Sequence, residues 1–104
     1  MTAFNFMLEP GRVCVAMDTL SIDPETKRPH KFVSEIFPVL HLRGLLCGTG
    51  IMQIILDWFV AIQGNAFVGD MVHLGRFTPD ALRRIAAKYA AEARGTTTIY
   101  HFWL

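Results

Sequence analysis

The sequence predicts an α+β fold with four strands, two helices and a final strand, in that order along the chain. Short apolar runs separated by turn residues fill the first 50 residues, which is typical of antiparallel strands. From residue 51 the apolar residues recur at helical spacing, and a run rich in β-branched and aromatic residues ends the chain. This order predicts an antiparallel β-sheet with helices packed on one face. With 104 residues, we expect residues 1–104 to form a single domain.

Residues 3–8 and 13–17 are predicted to form an antiparallel hairpin. The turn between them contains Pro10 and Gly11. Proline fits the first central position of a type II turn, and glycine supplies the positive φ that the second position requires. Cys14 in the second strand and Cys47 further along both lie in apolar runs, so we expect both thiols to be reduced and buried.

Two more strands are predicted before the first helix. Residues 21–30 are polar and contain two prolines, which indicates a loop. Residues 31–37 are rich in β-favouring side chains and predict a third strand, and residues 38–42 form a short link. Residues 43–47 predict a fourth strand, which ends at Gly48-Thr49-Gly50.

The first predicted helix covers residues 51–62 and is apolar nearly all round. A helix of this kind is typically buried. Gly64 and Asn65 are expected to end it, and residues 66–76 have no clear pattern because two glycines interrupt them. The apolar residues at helical spacing are Ile51, Ile54, Ile55, Trp58, Phe59 and Ile62.

The second predicted helix begins at Thr78, which is an N-cap candidate. Pro79 suits the first helical position, and Asp80 interacts favourably with the positive end of the helix dipole. Gly95 is expected to end this helix. Residues 96–104 then predict a fifth strand, which runs to the end of the given chain.

Composition argues against several classes of function. The net charge is +1, and the small basic cluster at residues 27–31 is interrupted by Pro29, so no nucleic-acid surface is expected. The longest apolar stretch is too short to span a bilayer. We therefore expect a soluble cytoplasmic protein that binds no membrane, metal or cofactor. The four histidines have no metal-ligand spacing and are expected in loops or on the surface: His30, His41, His73 and His101.

Five short features occur in a fixed order before the buried helix. They are Thr2, the Pro10-Gly11 turn, residues 13–19, residues 34–37 and residues 46–50. Their order and spacing resemble the first half of the proteasome β-type Ntn hydrolases. The resemblance implies a sandwich of two antiparallel sheets between layers of helices. We expect this chain to carry a truncated version of that fold.

The resemblance also implies candidate catalytic residues. Its nucleophile is the hydroxyl of an N-terminal threonine with the free α-amine as base, which points to Thr2 after loss of Met1. Asp18 lies at the spacing of the family's aspartate beside the nucleophile, and Gly48 matches the glycine whose N–H forms the oxyanion hole. Glu35 lies where the family has a lysine, and a carboxylate there would raise the pKa of the α-amine.

Three functions remain open on these residues. The first is an N-terminal-threonine amide hydrolase that acts on peptides or a small amide, which the Thr2–Asp18 spacing and Gly48 favour. The second is a non-catalytic, self-assembling subunit of the same fold, which Glu35 favours. The third is a small binding module that shares only the order of the strands.

The C-terminal strand predicts self-association. Residues 99–104 combine β-branched and aromatic side chains, and an uncovered strand of this kind has unpaired backbone groups that invite aggregation. Pairing with the same strand of a second copy would cover them through a symmetric contact. We therefore expect a homo-oligomer that assembles through the C-terminal strand.

Overall fold

The computed structural model describes residues 3–23, 25–64, 70–91 and 95–104. Within them the chain forms seven strands, two α-helices and a 3₁₀ turn at Leu40–Leu42. The helices are α1 (Met52–Gly64) and α2 (Met71–Lys88). The strands are β1 (Phe4–Glu9), β2 (Arg12–Met17), β3 (Leu20–Ile22), β4 (Pro29–Phe32), β5 (Ile36–Val39), β6 (Gly44–Thr49) and β7 (Thr98–Trp103).

The strands form three small antiparallel sheets. β1 pairs with β2, β3 pairs with β4, and a three-stranded sheet has the order β5-β6-β7. The sequence therefore predicts the α+β class and the antiparallel pairing correctly, while the strands are divided among more than one sheet. The C-terminal strand β7 pairs with β6 of the same chain and lies at an edge of its sheet.

The three-stranded sheet is covered on both faces. On one face, Leu46 of β6 belongs to the same buried core as Trp58 of α1 and Ile85 of α2. The other face meets β1, whose Phe4 ring centroid lies 4.8 Å from that of Tyr100 and whose Phe6 ring lies 5.1 Å from that of Phe102. The fold is therefore a compact arrangement of helices, central sheet and hairpin, with the helices on one face of the sheet as predicted.

The first hairpin follows the prediction. Glu9 pairs with Arg12, and Gly11 between them has a φ of +74°, which is the conformation that the predicted turn requires of its glycine. The expectation that Cys14 is buried is wrong, because this residue is exposed on β2 opposite Met7. The hairpin has one face toward the sheet, and alternate residues point away from it.

The predicted loop at residues 21–30 and strand at 31–37 are both corrected. A turn at Asp23 joins β3 to β4, because the Asp23 carboxylate accepts hydrogen bonds from the N–H groups of Glu25 at 2.8 Å and Thr26 at 3.3 Å. Residues 33–35 then separate β4 from β5, which begins at Ile36. Glu35 consequently lies in the break between two strands instead of within one.

The second helix begins earlier than predicted. Asp70 is its N-cap, and its carboxylate accepts a hydrogen bond from the His73 N–H at 2.8 Å. Thr78, the predicted N-cap, lies inside α2, where its hydroxyl donates to the Leu74 carbonyl. Pro79 is also internal. α2 ends at Lys88, before the predicted stop at Gly95, while residues 65–69 and 92–94 lie outside the described residues.

Neither helix in the described part of the chain is long and apolar enough to cross a membrane.

Candidate functional site

Two hydrogen bonds join Asp18, at the end of β2, to Ala3, at the beginning of β1. Its carboxylate Oδ1 accepts a hydrogen bond from the Ala3 N–H at 3.2 Å, and its own N–H donates to the Ala3 carbonyl at 3.2 Å. This pair extends the hairpin by one step beyond Phe4, which pairs with Met17. Thr2, the predicted nucleophile, lies outside the described residues. It is joined to Ala3 through the peptide nitrogen that Asp18 binds, so Asp18 acts on the chain directly beside Thr2.

Glu35 is a second carboxylate, and it lies close enough to Asp18 for the two charges to interact. The residue is half-buried, and its Oε2 atom is shielded from solvent and has no hydrogen-bond partner among residues 3–23, 25–64, 70–91 and 95–104. Burial raises the pKa of Glu35, and the negative charge of Asp18 raises it further. A shielded carboxylate oxygen without a donor is unfavourable as an anion, so this group favours a proton or a neighbouring cation.

Cys47 lies close enough to Glu35 for the charge of the carboxylate to act on its thiol. It lies in β6 opposite Ile36, the residue that follows Glu35, and its side chain is fully buried. Burial raises the pKa of the Cys47 thiol to about 11, with the charge of Glu35 as the second cause. The thiolate is the reactive form of cysteine, and a pKa of about 11 keeps the buried Cys47 side chain as the neutral thiol. Cys47 therefore behaves as a small apolar residue and not as a nucleophile.

Gly48 follows Cys47 and has a clear packing role. A β-carbon at this position would lie 2.8 Å from the Ile55 Cδ1 and 2.6 Å from the Thr98 carbonyl oxygen. The absence of a side chain therefore lets α1 and β7 approach β6 closely. The predicted role of the Gly48 N–H in an oxyanion hole stays a prediction.

The structure places two of the predicted positions, from different parts of the chain, within electrostatic reach of each other. Asp18 follows β2, Glu35 precedes β5, and the charge of Asp18 acts on Glu35. Gly48 lies in β6 and packs against Ile55 and Thr98. Neither carboxylate forms a salt bridge with a basic side chain in the described part of the chain. The site is therefore acidic where the resemblance implies a lysine.

A cavity of about 290 Å³ is lined in part by Ser34, the neighbour of Glu35 in the chain. Its lining combines apolar side chains with hydroxyl, amide and ammonium groups, so the cavity suits a ligand side chain that has both apolar and polar parts. The lining residues are Ser21, Lys31, Val33, Ser34, Met52, Gln53 and Leu56.

One histidine is placed differently from the prediction. His101 is half-buried in β7, and its Nε2 accepts a hydrogen bond of 2.9 Å from the Nε1–H of the fully buried Trp58. Burial lowers the pKa of His101. The expectation of a surface histidine is wrong because alternation along β7 places this residue on the face that α1 covers.

No group of three or more His, Cys, Asp or Glu side chains in the described residues is placed to hold a metal ion. Comparison with protein-family models, with curated proteins and with solved structures finds no match for this chain.

Proposed function

We propose that this chain is a proteasome-β-like Ntn-hydrolase homologue that uses Thr2 to hydrolyse the amide bond of a peptide or a small amide. The observation that carries the proposal is the hydrogen bond between the Asp18 carboxylate and the Ala3 N–H. It joins the carboxylate found by its spacing from Thr2 to the backbone directly after Thr2. Glu35, which precedes β5, lies close enough to Asp18 for the charge of Asp18 to raise its pKa, which supports a site at the beginning of β1.

The proposed reaction needs Thr2 to be the first residue. Removal of Met1 frees an α-amine and leaves the Thr2 hydroxyl close to it, and an unassisted hydroxyl needs a base within hydrogen-bond reach. Asp18 would position the Thr2 backbone through Ala3, and the Gly48 N–H would stabilise the oxyanion that forms on the attacked carbonyl. The cavity beside Ser34 would receive a substrate side chain. A cytoplasmic location and assembly through β7 belong to the same proposal.

A second candidate is a non-catalytic, self-assembling subunit of the same fold. The pairing of two carboxylates, Asp18 and Glu35, favours it. An α-amine beside two negative groups is held as an ammonium, because nearby opposite charge stabilises the charged form. An ammonium cannot accept the hydroxyl proton, so the α-amine would be a poor base in this site.

Acylation of Thr2 distinguishes the two candidates. Intact-mass analysis of the purified chain would first establish whether Met1 is lost. Treatment with a β-lactone should then add one acyl group to the wild type, and peptide mapping should place it on the Thr2 oxygen. Thr2→Ser should still react and Thr2→Ala should not. A wild type without Met1 that gains no mass at Thr2, while remaining folded by circular dichroism, supports the non-catalytic subunit.

A further inference from the structure

The β1–β2 hairpin contacts the central sheet closely at one end and separates from it at the other. At the beginning of β1, the Phe6 ring lies 5.1 Å from the Phe102 ring of β7. Leu8, two residues further along β1, faces the same side as Phe6, yet it is 61% exposed. The two layers therefore diverge toward the turn of the hairpin, where Val13 of β2 lines an open cavity between them.

This interlayer cavity has a volume of about 360 Å³. Leu45 of β6 pairs with both Pro38 of β5 and Phe102 of β7, which places these three side chains on the sheet face that the hairpin covers. The volume lies near the lower end of the range of about 300–1,000 Å³ that small-molecule sites occupy, so the cavity suits one alkyl chain. Its apolar lining residues are Val13, Pro38, Leu40, Leu45, Phe102 and Leu104.

Arg43 is the charged residue that lines this cavity. Its N–H donates to the Leu40 carbonyl at 3.1 Å, and its carbonyl accepts from the Leu104 N–H at 3.2 Å, so its backbone is fixed on both sides. Its φ is +52°, a left-handed conformation that glycine and asparagine adopt more readily than arginine. The Arg43 guanidinium forms no salt bridge within residues 3–23, 25–64, 70–91 and 95–104. An apolar cavity thus has beside it a cation that lacks an anionic partner in that part of the chain.

We propose that the interlayer cavity binds a single-chain carboxylate of the fatty-acid class. The alkyl chain lies between the hairpin and the central sheet, and the carboxylate pairs with the Arg43 guanidinium. Charge complementarity selects this ligand, because the planar fork of N–H donors on arginine matches the two oxygens of a carboxylate. Room for one chain favours a free acid over a two-chain lipid that stays in a bilayer.

This site is separate from the one in the proposed function. Val13 and Asp18 belong to the same extended segment, and at about 3.3 Å per residue they lie about 16 Å apart. The interlayer cavity is at the turn end of the hairpin, whereas Asp18 is at the end where β1 begins. The inference therefore goes beyond the proposed function and does not depend on it.

Methyl NMR of the full chain, titrated with decanoate below its micelle-forming concentration, tests the site. The methyl signals of Val13, Leu45 and Leu104 should shift and reach saturation. Val60 and Val72 are the control for non-specific binding, because each is 65% exposed on a helix, and their signals should not move. Octanoate should bind roughly 15-fold more weakly than decanoate, since each buried methylene changes the affinity about fourfold.

Variants separate the two parts of the ligand. Arg43→Gln should weaken decanoate binding about fivefold, the upper range for an ion pair in contact with solvent, and should leave the binding of uncharged decanol unchanged. Arg84→Gln is the matched control, since Arg84 is an exposed arginine on α2, and it should alter neither affinity. Val13→Phe places a larger, β-favouring side chain in the cavity and should weaken both ligands at least about tenfold, while circular dichroism stays native.

Four results would overturn the inference. Equal shifts at Val60 and Val72 would show detergent-like binding to the whole surface. Shifts that appear only with anionic phospholipid vesicles would assign this face to a membrane. Shifts of the cavity methyls with rising protein concentration, without any ligand, would show that a second copy of the chain covers the cavity. An unchanged affinity of Arg43→Gln for decanoate would remove the role of the guanidinium. Acylation of Thr2 has no part in these measurements, so the proposed function stands or fails separately.

Discussion

Gly48→Ala tests whether the glycine before the first helix is needed for packing. The added methyl group would lie 2.6 Å from the Thr98 carbonyl oxygen, 2.8 Å from the Ile55 Cδ1 and 3.0 Å from the Ile55 Cγ1. The end of the Ile55 side chain can move, but the Thr98 oxygen belongs to the backbone of β7, which pairs with β6. Overpacking of this kind costs about 1–3 kcal/mol. We expect the free energy of unfolding to fall by that amount.

The assay is urea unfolding followed by circular dichroism, with Gly75→Ala as the matched control. Gly75 is exposed inside α2, and a β-carbon there meets nothing within 4 Å. Alanine should therefore raise the free energy of unfolding by about 0.5–1 kcal/mol, because glycine is a poor residue within a helix. Adding Ile55→Val to Gly48→Ala should recover only part of the loss, since the contact with the Thr98 oxygen remains. A Gly48→Ala variant as stable as the wild type would refute the close approach of β7 and α1 to Gly48.

Three further outcomes follow from other parts of the fold. Because burial lowers the pKa of His101 below the ordinary 6.5, the folded chain binds fewer protons than the unfolded chain between the two pKa values. The free energy of unfolding should have its full value above about pH 6.5 and should fall as the pH drops through the folded pKa of His101. Urea titrations that show an equally steep acidic loss for a His101→Gln variant would contradict this. Asp70→Ala should lower the free energy of unfolding by about 0.5–2 kcal/mol and Thr78→Ala by much less, and the reverse order in thermal melts would return the N-cap to Thr78. Light scattering at micromolar concentration should give a multiple of 11.7 kDa that Trp103→Lys reduces, because Trp103 is exposed on the edge strand β7; a monomeric wild type would rule out the assembly.

Local chemistry explains which elements could be predicted from the sequence. The β1–β2 hairpin depends on Pro10 and Gly11, which are adjacent to the strands that they join, so the prediction was correct. The β3–β4 hairpin depends on Asp23 accepting hydrogen bonds from the backbone two and three residues later. A polar stretch with prolines does not distinguish that turn from an irregular loop. Helix α2 was predicted too short because Gly75 and Pro79 are helix breakers by propensity, whereas the Asp70 cap and tertiary packing override them here.

The site was predictable only in part, for a related reason. Asp18 is predicted from its spacing to Thr2, and in the structure its carboxylate accepts a hydrogen bond from the Ala3 N–H; its catalytic role stays a prediction. The proximity of Cys47 to Glu35 depends on the register between β5 and β6, in which Ile36 is opposite Cys47. A shift of one residue would move Cys47 to the other face of the sheet, and nothing in either strand alone specifies that register.

The rate of peptide-amide hydrolysis by the chain that begins at Thr2 tests the central claim most directly, when measured beside Thr2→Ala and Asp18→Asn. Asparagine at position 18 can still accept from the Ala3 N–H but has no charge, so it keeps the hairpin contact and removes only the electrostatic effect. We predict measurable hydrolysis by the wild type, none by Thr2→Ala, and a rate at least about tenfold lower for Asp18→Asn with unchanged stability, because one pKa unit of differential stabilisation corresponds to a factor of ten. Full activity of Thr2→Ala, or hydrolysis by a wild type that retains Met1, would contradict the account.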